Sequence, residues 1–269
     1  MSNVTPQSKV SAQALLKLFQ RGVGTGTEKA YEGFFTTANV DTASHSGKGF
    51  CALEGRYRHW LSETEEGLLL GSLRDPFVTG ARESFPLTIA LTKRICETFA
   101  FRHIRSSGSG RPLVPYTTDL LISRSTPPLH IALSGKVRRH LRKIENYRSM
   151  MVEHVYWSLY DVPHLVATEA EFTKEVLISL RNLRPPSHLA EADLLSSPNC
   201  RSFHVAALAA DWSEPLIEVV RTISTRLRIG SEEGMALFKR LAWAGNLEVD
   251  LHLGITPRSR NVLLPSGGT

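Results

Sequence analysis

Tyr116-Thr117-Thr118-Asp119-Leu120-Leu121-Ile122, followed after a short gap by His130-Ile131-Ala132-Leu133-Ser134-Gly135-Lys136, is the stretch on which the fold turns. Both segments are rich in aliphatic and β-branched residues. Pro127-Pro128 between them cannot continue a strand. The pattern predicts two strands, 116–123 and 129–134, joined by a turn. Side chains alternate along a strand, so Ser134 and Lys136 share a face, and Asp119 stands beside them if the strands pair. A carboxylate on one strand and an x-x-Lys pattern ending its neighbour is one way nucleases build a magnesium site.

Outward from this pair the chain keeps an α/β order. Ser62 and Glu65 form an S-x-x-E capping box ahead of Leu68, Leu69, Leu70 and Leu73, which predicts a helix that Pro76 follows. Phe85, Leu87, Ile89 and Leu91 alternate and predict a strand. Residues 106–112 are rich in turn formers. A helix is expected over 137–157, ending near Tyr160, and a last strand over His164 to Thr168. Residues 60–168 thus read helix, three strands, helix, strand. Nearer the N-terminus, 13–20 reads as a short amphipathic helix, and 39–50 as a loop. Arg21-Gly22-Val23-Gly24-Thr25-Gly26 is glycine-rich but follows no strand, so it reads as a loop and not as a dinucleotide site.

Beyond about 170 the pattern is mainly helical, with Phe172, Val176, Leu180 and Leu183 at helical spacing and a break at Pro185-Pro186. A boundary near 168–172 divides the chain into domains 1–168 and 169–269. In the second, Glu214 to Leu227 reads as a helix. Ser231 caps the next one, with Glu232 and Glu233 in its first turn, and Gly245 ends it. Leu247, Val249, Leu251 and Leu253 then alternate as a strand or hairpin. Helix, turn, helix, strand is a winged-helix-like order, and Lys239 and Arg240 would suit DNA contact. The acidic face of the expected strand, Glu248 and Asp250, makes protein docking an equal alternative.

The 269 residues are 42% hydrophobic and 22% charged, enough apolar material for a real core. Lys and Arg outnumber Asp and Glu 32 to 26, a mild excess that suits a polyanionic partner. Three well-separated cysteines, Cys51, Cys96 and Cys200, indicate neither a disulfide framework nor a zinc cluster. Met1 to Val10 is polar, and no apolar run has the length of a membrane span, so a soluble, cytoplasmic protein is expected.

Each candidate for chemistry also has a plain explanation. Glu65 is accounted for as a capping residue, Asp119 as a strand-entry residue, and Lys136 as the start of a solvated helix. Arg138, Arg139, Arg142, Lys143 and Arg148 crowd the segment after Lys136 against the single acid Glu145. Such a run is either a solvated face or a phosphate-contacting one. His130, His140 and His154 lack metal-ligand spacing and read as core or surface.

Taken together, the segments from Leu15 to Thr168 resemble the TnsA family of transposition endonucleases. Arg21-Gly22-x-Gly24-x-Gly26 is similar to the family's N-terminal glycine element. Arg56-Tyr57-Arg58-His59-Trp60-Leu61-Ser62-Glu63-Thr64-Glu65 resembles its L-S-x-x-E segment, and Arg82-Glu83-Ser84-Phe85-Pro86-Leu87 its R-E-Q-F/P-L strand. Thr118-Asp119-Leu120-Leu121 resembles its T-P/T-D-F-L motif. Tyr156-Trp157, Val162-Pro163-His164 and Thr168-Glu169 resemble its Y-W, I-P-W and T-D/E run.

The resemblance implies a restriction-endonuclease-like core with catalytic Glu65, Asp119 and Lys136. It implies a Mg2+ ion, for which Mn2+ would substitute, on Glu65, Asp119, Ser134 and Gly135. The implied partners are double-stranded transposon ends, a DDE transposase of the TnsB type and an AAA+ ATPase regulator of the TnsC type, in a prokaryotic cytoplasm. One departure stands out: Ser134-Gly135-Lys136 replaces the family's Q/E-x-K, putting a hydroxyl where a stronger ligand is usual, although the Gly135 carbonyl is a hard oxygen donor. Two alternatives stay open, a binding subunit without chemistry and an unrelated restriction or repair nuclease with the same core.

Overall fold

Strands 117–124 and 130–135 pair antiparallel in a computed structural model of the chain, which describes residues 10–37, 45–51, 53–185 and 197–264. The chain divides into two units. The first is Met1–Ser72 with Phe77–Glu171, and the second is Leu73–Pro76 with Phe172–Thr269.

In the first unit, α1 (Ala12–Gln20) is capped by Ser11, whose Oγ accepts the Ala14 N–H at 3.2 Å. A hairpin follows, β1 (Gly47–Cys51) on β2 (Arg56–Trp60). Then come α2 (Glu63–Ser72), β3 (Val78–Pro86), α3 (Ile89–Thr98), β4 (Thr117–Arg124) and β5 (His130–Gly135). A 3-10 turn at Arg138–His140, α4 (Ile144–Ser158) and β6 (His164–Ala167) complete the unit. The sheet order is β3-β4-β5-β6, with β6 parallel to β5 and the other pairs antiparallel. This is a mixed α/β architecture. Ile95 and Cys96 of α3, Leu121 and Ala132 of the sheet, and Val152, Tyr156 and Trp157 of α4 share one buried cluster, so α3 and α4 pack together on the sheet.

Several expectations need correction. Residues 39–44 of the expected 39–50 loop lie outside the described residues, but Gly47–Cys51 is a strand. Its Gly-Lys-Gly start carries no strand signature, and pairing with β2 supplies the order. The expected Phe85–Leu91 strand ends at Pro86, and Ile89 opens a helix. Thr92, Ile95 and Cys96 are that helix's buried positions, so the apparent period of two was the first turn of a period of 3.6.

The helix expected from 137 begins only at Ile144. A start among Arg138, Arg139 and Arg142 would put cations at the positive end of the helix dipole, whereas the actual start places Glu145 in the first turn.

A buried ion network ties the hairpin to β3. Arg56 Nε donates to Glu54 Oε2, and its Nη1 and Nη2 donate to the two oxygens of Glu83, each at 2.7 Å. Glu54 Oε1 accepts the Ala81 N–H at 2.6 Å.

The second unit holds α5 (Lys174–Leu183), α6 (Pro198–Leu208), α7 (Leu216–Leu227) and α8 (Ser231–Trp243). Arg74 explains why 73–76 groups here: its Nη2 and Nε donate to the carbonyls of Ala242 and Trp243 at 3.1 and 3.3 Å, satisfying the C-terminal end of α8. The helix expected from Glu214 starts at Leu216, and the cap of α8 is Gly230, one residue before the expected Ser231. The alternating Leu247–Leu253 segment forms no strand. Val249 makes an isolated bridge to Leu263, and Leu251–Leu253 is a 3-10 turn. Asp250 caps that turn by accepting the His252 N–H at 2.9 Å, and Ser179 Oγ, 72 residues away in sequence, donates to the Leu251 carbonyl at 2.8 Å, so a local cap and a tertiary bond together override the alternation. All three cysteines are buried free thiols. Among the described residues no helix is long and apolar enough to cross a membrane.

Candidate functional site

Asp119 and Lys136 meet where β4 and β5 lie side by side. Lys136 Nζ donates to Asp119 Oδ2 at 3.3 Å, and the Gly135 N–H donates to the same oxygen at 2.7 Å. The other Asp119 oxygen takes no hydrogen bond from the described residues. The pair is about one-fifth exposed. Gly135 lies close under α2: a Cβ there would lie 3.1 Å from Thr64 Cγ2 and 3.4 Å from a Leu68 methyl, a tight fit that the glycine avoids where the first turns of α2 reach the end of β5.

That approach brings Glu65 to the site. As a cap, Ser62 Oγ accepts the Glu65 N–H at 3.2 Å and donates back to Oε1 at 3.1 Å, while Oε2 accepts the Leu61 N–H at 2.8 Å. The capping role is therefore real, but it does not exhaust the residue. Burial, and then the nearby Asp119 charge, push the Glu65 carboxyl up to about 7, against the hydrogen bonds from Leu61 and Ser62 and the charge of Lys136. Burial works to lower the Lys136 ammonium, but Asp119, Glu153 and Glu65 outweigh it and hold it above the ordinary lysine range.

Ser134 is committed elsewhere. It is fully buried, donates its hydroxyl to Glu153 Oε2 at 2.5 Å, and lies 3.0 Å from His164 Nε2. Thr118 Oγ1 also donates to Glu153, at 3.4 Å, and accepts the Trp157 indole N–H at 2.7 Å. Burial, with Asp119 adding, raises the Glu153 carboxyl to about 7 despite the opposing Lys136. Burial, then His154 and Lys136, lowers His164 to about 4, which keeps its ring neutral.

Sequence reasoning missed Glu153 and left His164 without a role. The signal for Glu153 was present: it sits between Val152 and Tyr156 on the buried stripe of α4, where a carboxylate needs a partner.

The basic run is split. Arg138 and Arg139 lie on the 3-10 turn, Arg142 follows it and Lys143 is the cap of α4; all four are exposed and precede the helix. Arg148 lies on α4 with its guanidinium 5.3 Å from the centre of the Phe101 ring. In the second unit Lys239 is half-buried and Arg240 is 3% exposed, so burial removes Arg240 from any surface a DNA backbone could reach.

The donor set suits a hard divalent cation. Two partly buried carboxylates repel one another, and a dication would relieve the cost that raises Glu65. Magnesium keeps several of its own waters and is commonly held by only one or two carboxylates.

One pH effect follows for the metal-free protein. A carboxyl whose folded pKa is raised binds more protons folded than unfolded, so its stabilisation is full below about 4.5 and is lost as pH rises to about 7. Glu65 should cost at most about 3 kcal/mol of unfolding free energy across that window. Urea unfolding at stepped pH checks this. Glu65→Gln should flatten the slope, and an unchanged slope would show that Glu65 does not titrate this way.

The chain matches no protein-family model and none of the curated proteins with which it was compared.

Proposed function

We propose that the chain is a Mg2+-dependent DNA endonuclease subunit of a heteromeric transposase. It cuts the non-transferred 5′ strand at transposon ends, on a restriction-endonuclease-like core followed by a mainly helical docking domain whose helices follow a winged-helix-like order without the expected strand. The observation that carries this reading is the Asp119–Lys136 pair, with the Glu65 carboxyl raised by the Asp119 charge. The order of TnsA-like segments around those residues supports the transposition context, with TnsB-type and TnsC-type partners.

In this mechanism Glu65 and Asp119 would hold the cation, with the Gly135 carbonyl as a further hard donor. When bound, Mg2+ supplies charge neutralisation at the scissile phosphate and makes a water more acidic. Lys136 stays protonated, so it donates to a phosphate oxygen and does not serve as a base. Glu153, held by Ser134 and Thr118, adds a buried carboxylate that raises the Lys136 ammonium further.

A second reading has its own observation. Ser134 spends its hydroxyl on Glu153, so β5 offers no side-chain ligand two residues before Lys136. That favours a weakened or inactive subunit which binds DNA and partners in the same complex.

Calorimetric titration separates the two. Mg2+ added to the wild-type chain should give saturable heat. Asp119→Asn should weaken the binding by at least the roughly 10–100-fold that loss of an outer-shell partner costs. Absence of heat with the wild-type chain, and of metal-dependent nicking with partners, would select the inactive reading.

A further inference from the structure

A cavity of about 1020 Å³ in the first unit is lined by α3 and by the 101–113 segment, away from the residues assigned above. Its walls carry Lys93, Arg102, Arg105 and Arg111 against the single acid Glu97. Glu97 lies 3.6 Å from Lys93, and among the described residues no carboxylate stands within ion-pair reach of the three arginines. The arginines are exposed at the surface of the segment, while Cys96 at the cavity wall is buried.

The segment is held in shape. Arg105 pairs with Leu113 in an antiparallel bridge, the Ser106 N–H donates to the Pro112 carbonyl at 2.9 Å, and Arg105 Nη1 donates to the Arg111 carbonyl at 3.0 Å. Arg111 takes a left-handed backbone, φ 41°, a strained conformation for a residue with a side chain. Phe101 joins the lining, and Phe99, 41% exposed, stacks on it with ring centres 5.8 Å apart. The segment leads into β4 through Tyr116, whose ring meets His103 at 5.1 Å, three residues before Asp119.

We propose that this cavity is a second nucleic-acid contact, in which Arg102, Arg105 and Arg111 grip the phosphate backbone of duplex DNA. Cations on an exposed rim fit a chain of phosphates that passes through. A free nucleotide would need an apolar slot closing over its base, and this cavity is already at the upper end of small-ligand clefts. The inference rests on DNA being the ligand of the proposed enzyme, but not on cleavage.

The test is fluorescence anisotropy with a short labelled duplex in EDTA, so that nothing is cut. Arg102→Ala/Arg105→Ala/Arg111→Ala should weaken binding about tenfold or more at low salt. It should also reduce the slope of log K against log salt by about 2–3, near 0.9 for each phosphate that is no longer neutralised. A charge-matched variant in the second unit, Lys174→Ala/Arg226→Ala/Arg258→Ala, should leave that slope unchanged. Arg102→Glu alone, at a side chain with no ion pair among the described residues, guards against misfolding of the triple variant and should weaken binding in the same direction.

Equal slopes in the two triple variants, or wild-type affinity in both cavity variants, would overturn the proposal. So would displacement of the duplex by millimolar ATP, which would mark a small-polyanion site instead. Failure of cleavage with these binding results intact would count against the enzyme reading alone.

Discussion

Asp119→Ala is expected to abolish cutting of one strand at transposon ends, a loss of at least about 10²–10³-fold, while duplex binding and the fold persist. The reason lies in how much converges on this carboxylate. One oxygen accepts from both Gly135 N–H and Lys136 Nζ, and the other is left for a ligand. In the proposed mechanism, removing it takes away a metal ligand and releases the amine that would meet the phosphate. The side chain is partly exposed, so stability should change little. Strand-specific cleavage with the partner proteins is the assay, with circular dichroism as the check on folding. Asp119→Asn keeps an acceptor for Gly135 and Lys136 but lacks the charge, and it should be nearly as inactive. Unchanged cutting of that strand by either variant would remove the proposed mechanism.

Arg56→Ala should have the largest effect on stability. Arg56 is 8% exposed and bridges Glu54 and Glu83, both buried. Its guanidinium also donates to the Ala81 carbonyl at 2.9 Å. Deleting it strands the Glu83 carboxylate and leaves Glu54 with Arg58 as its remaining ion-pair partner. Breaking a buried pair from one side costs about 3–5 kcal/mol, because the orphaned charge stays in a poor solvent. Urea unfolding should show that loss. The double variant Arg56→Met/Glu83→Gln should recover much of it, since the charge departs with its partner. A loss below about 1 kcal/mol for Arg56→Ala would mean that water reaches Glu83 and that the network does not act as a buried one.

Which parts of this protein were legible in its sequence follows from the range of the forces involved. β4 and β5 form where Thr117–Ile122 and His130–Ser134 predict them, because alternation and the Pro127-Pro128 break act within a few residues. The α2 cap is likewise local, set by Ser62 and Glu65 within one turn. Those same two features bring Glu65, Asp119 and Lys136 into one electrostatic neighbourhood. Legibility failed where local pattern and global packing disagree. Phe85 to Leu91 alternates like a strand, yet Ile89 onward is helical because Ile95 and Cys96 complete the cluster with Val152 and Trp157. Leu247 to Leu253 alternates as well, yet among the described residues it pairs only through the single Val249–Leu263 bridge.

The sequence by itself determined the α/β order and the identity of the acid and amine that face each other across β4 and β5, since period and capping are written in neighbouring residues. Only the tertiary structure decided that Ser134 bonds Glu153, that Arg240 is buried, and that Glu65 is held near neutrality. Burial and Coulomb energy depend on which groups the folded chain brings within a few ångströms, and those groups lie tens of residues apart in sequence.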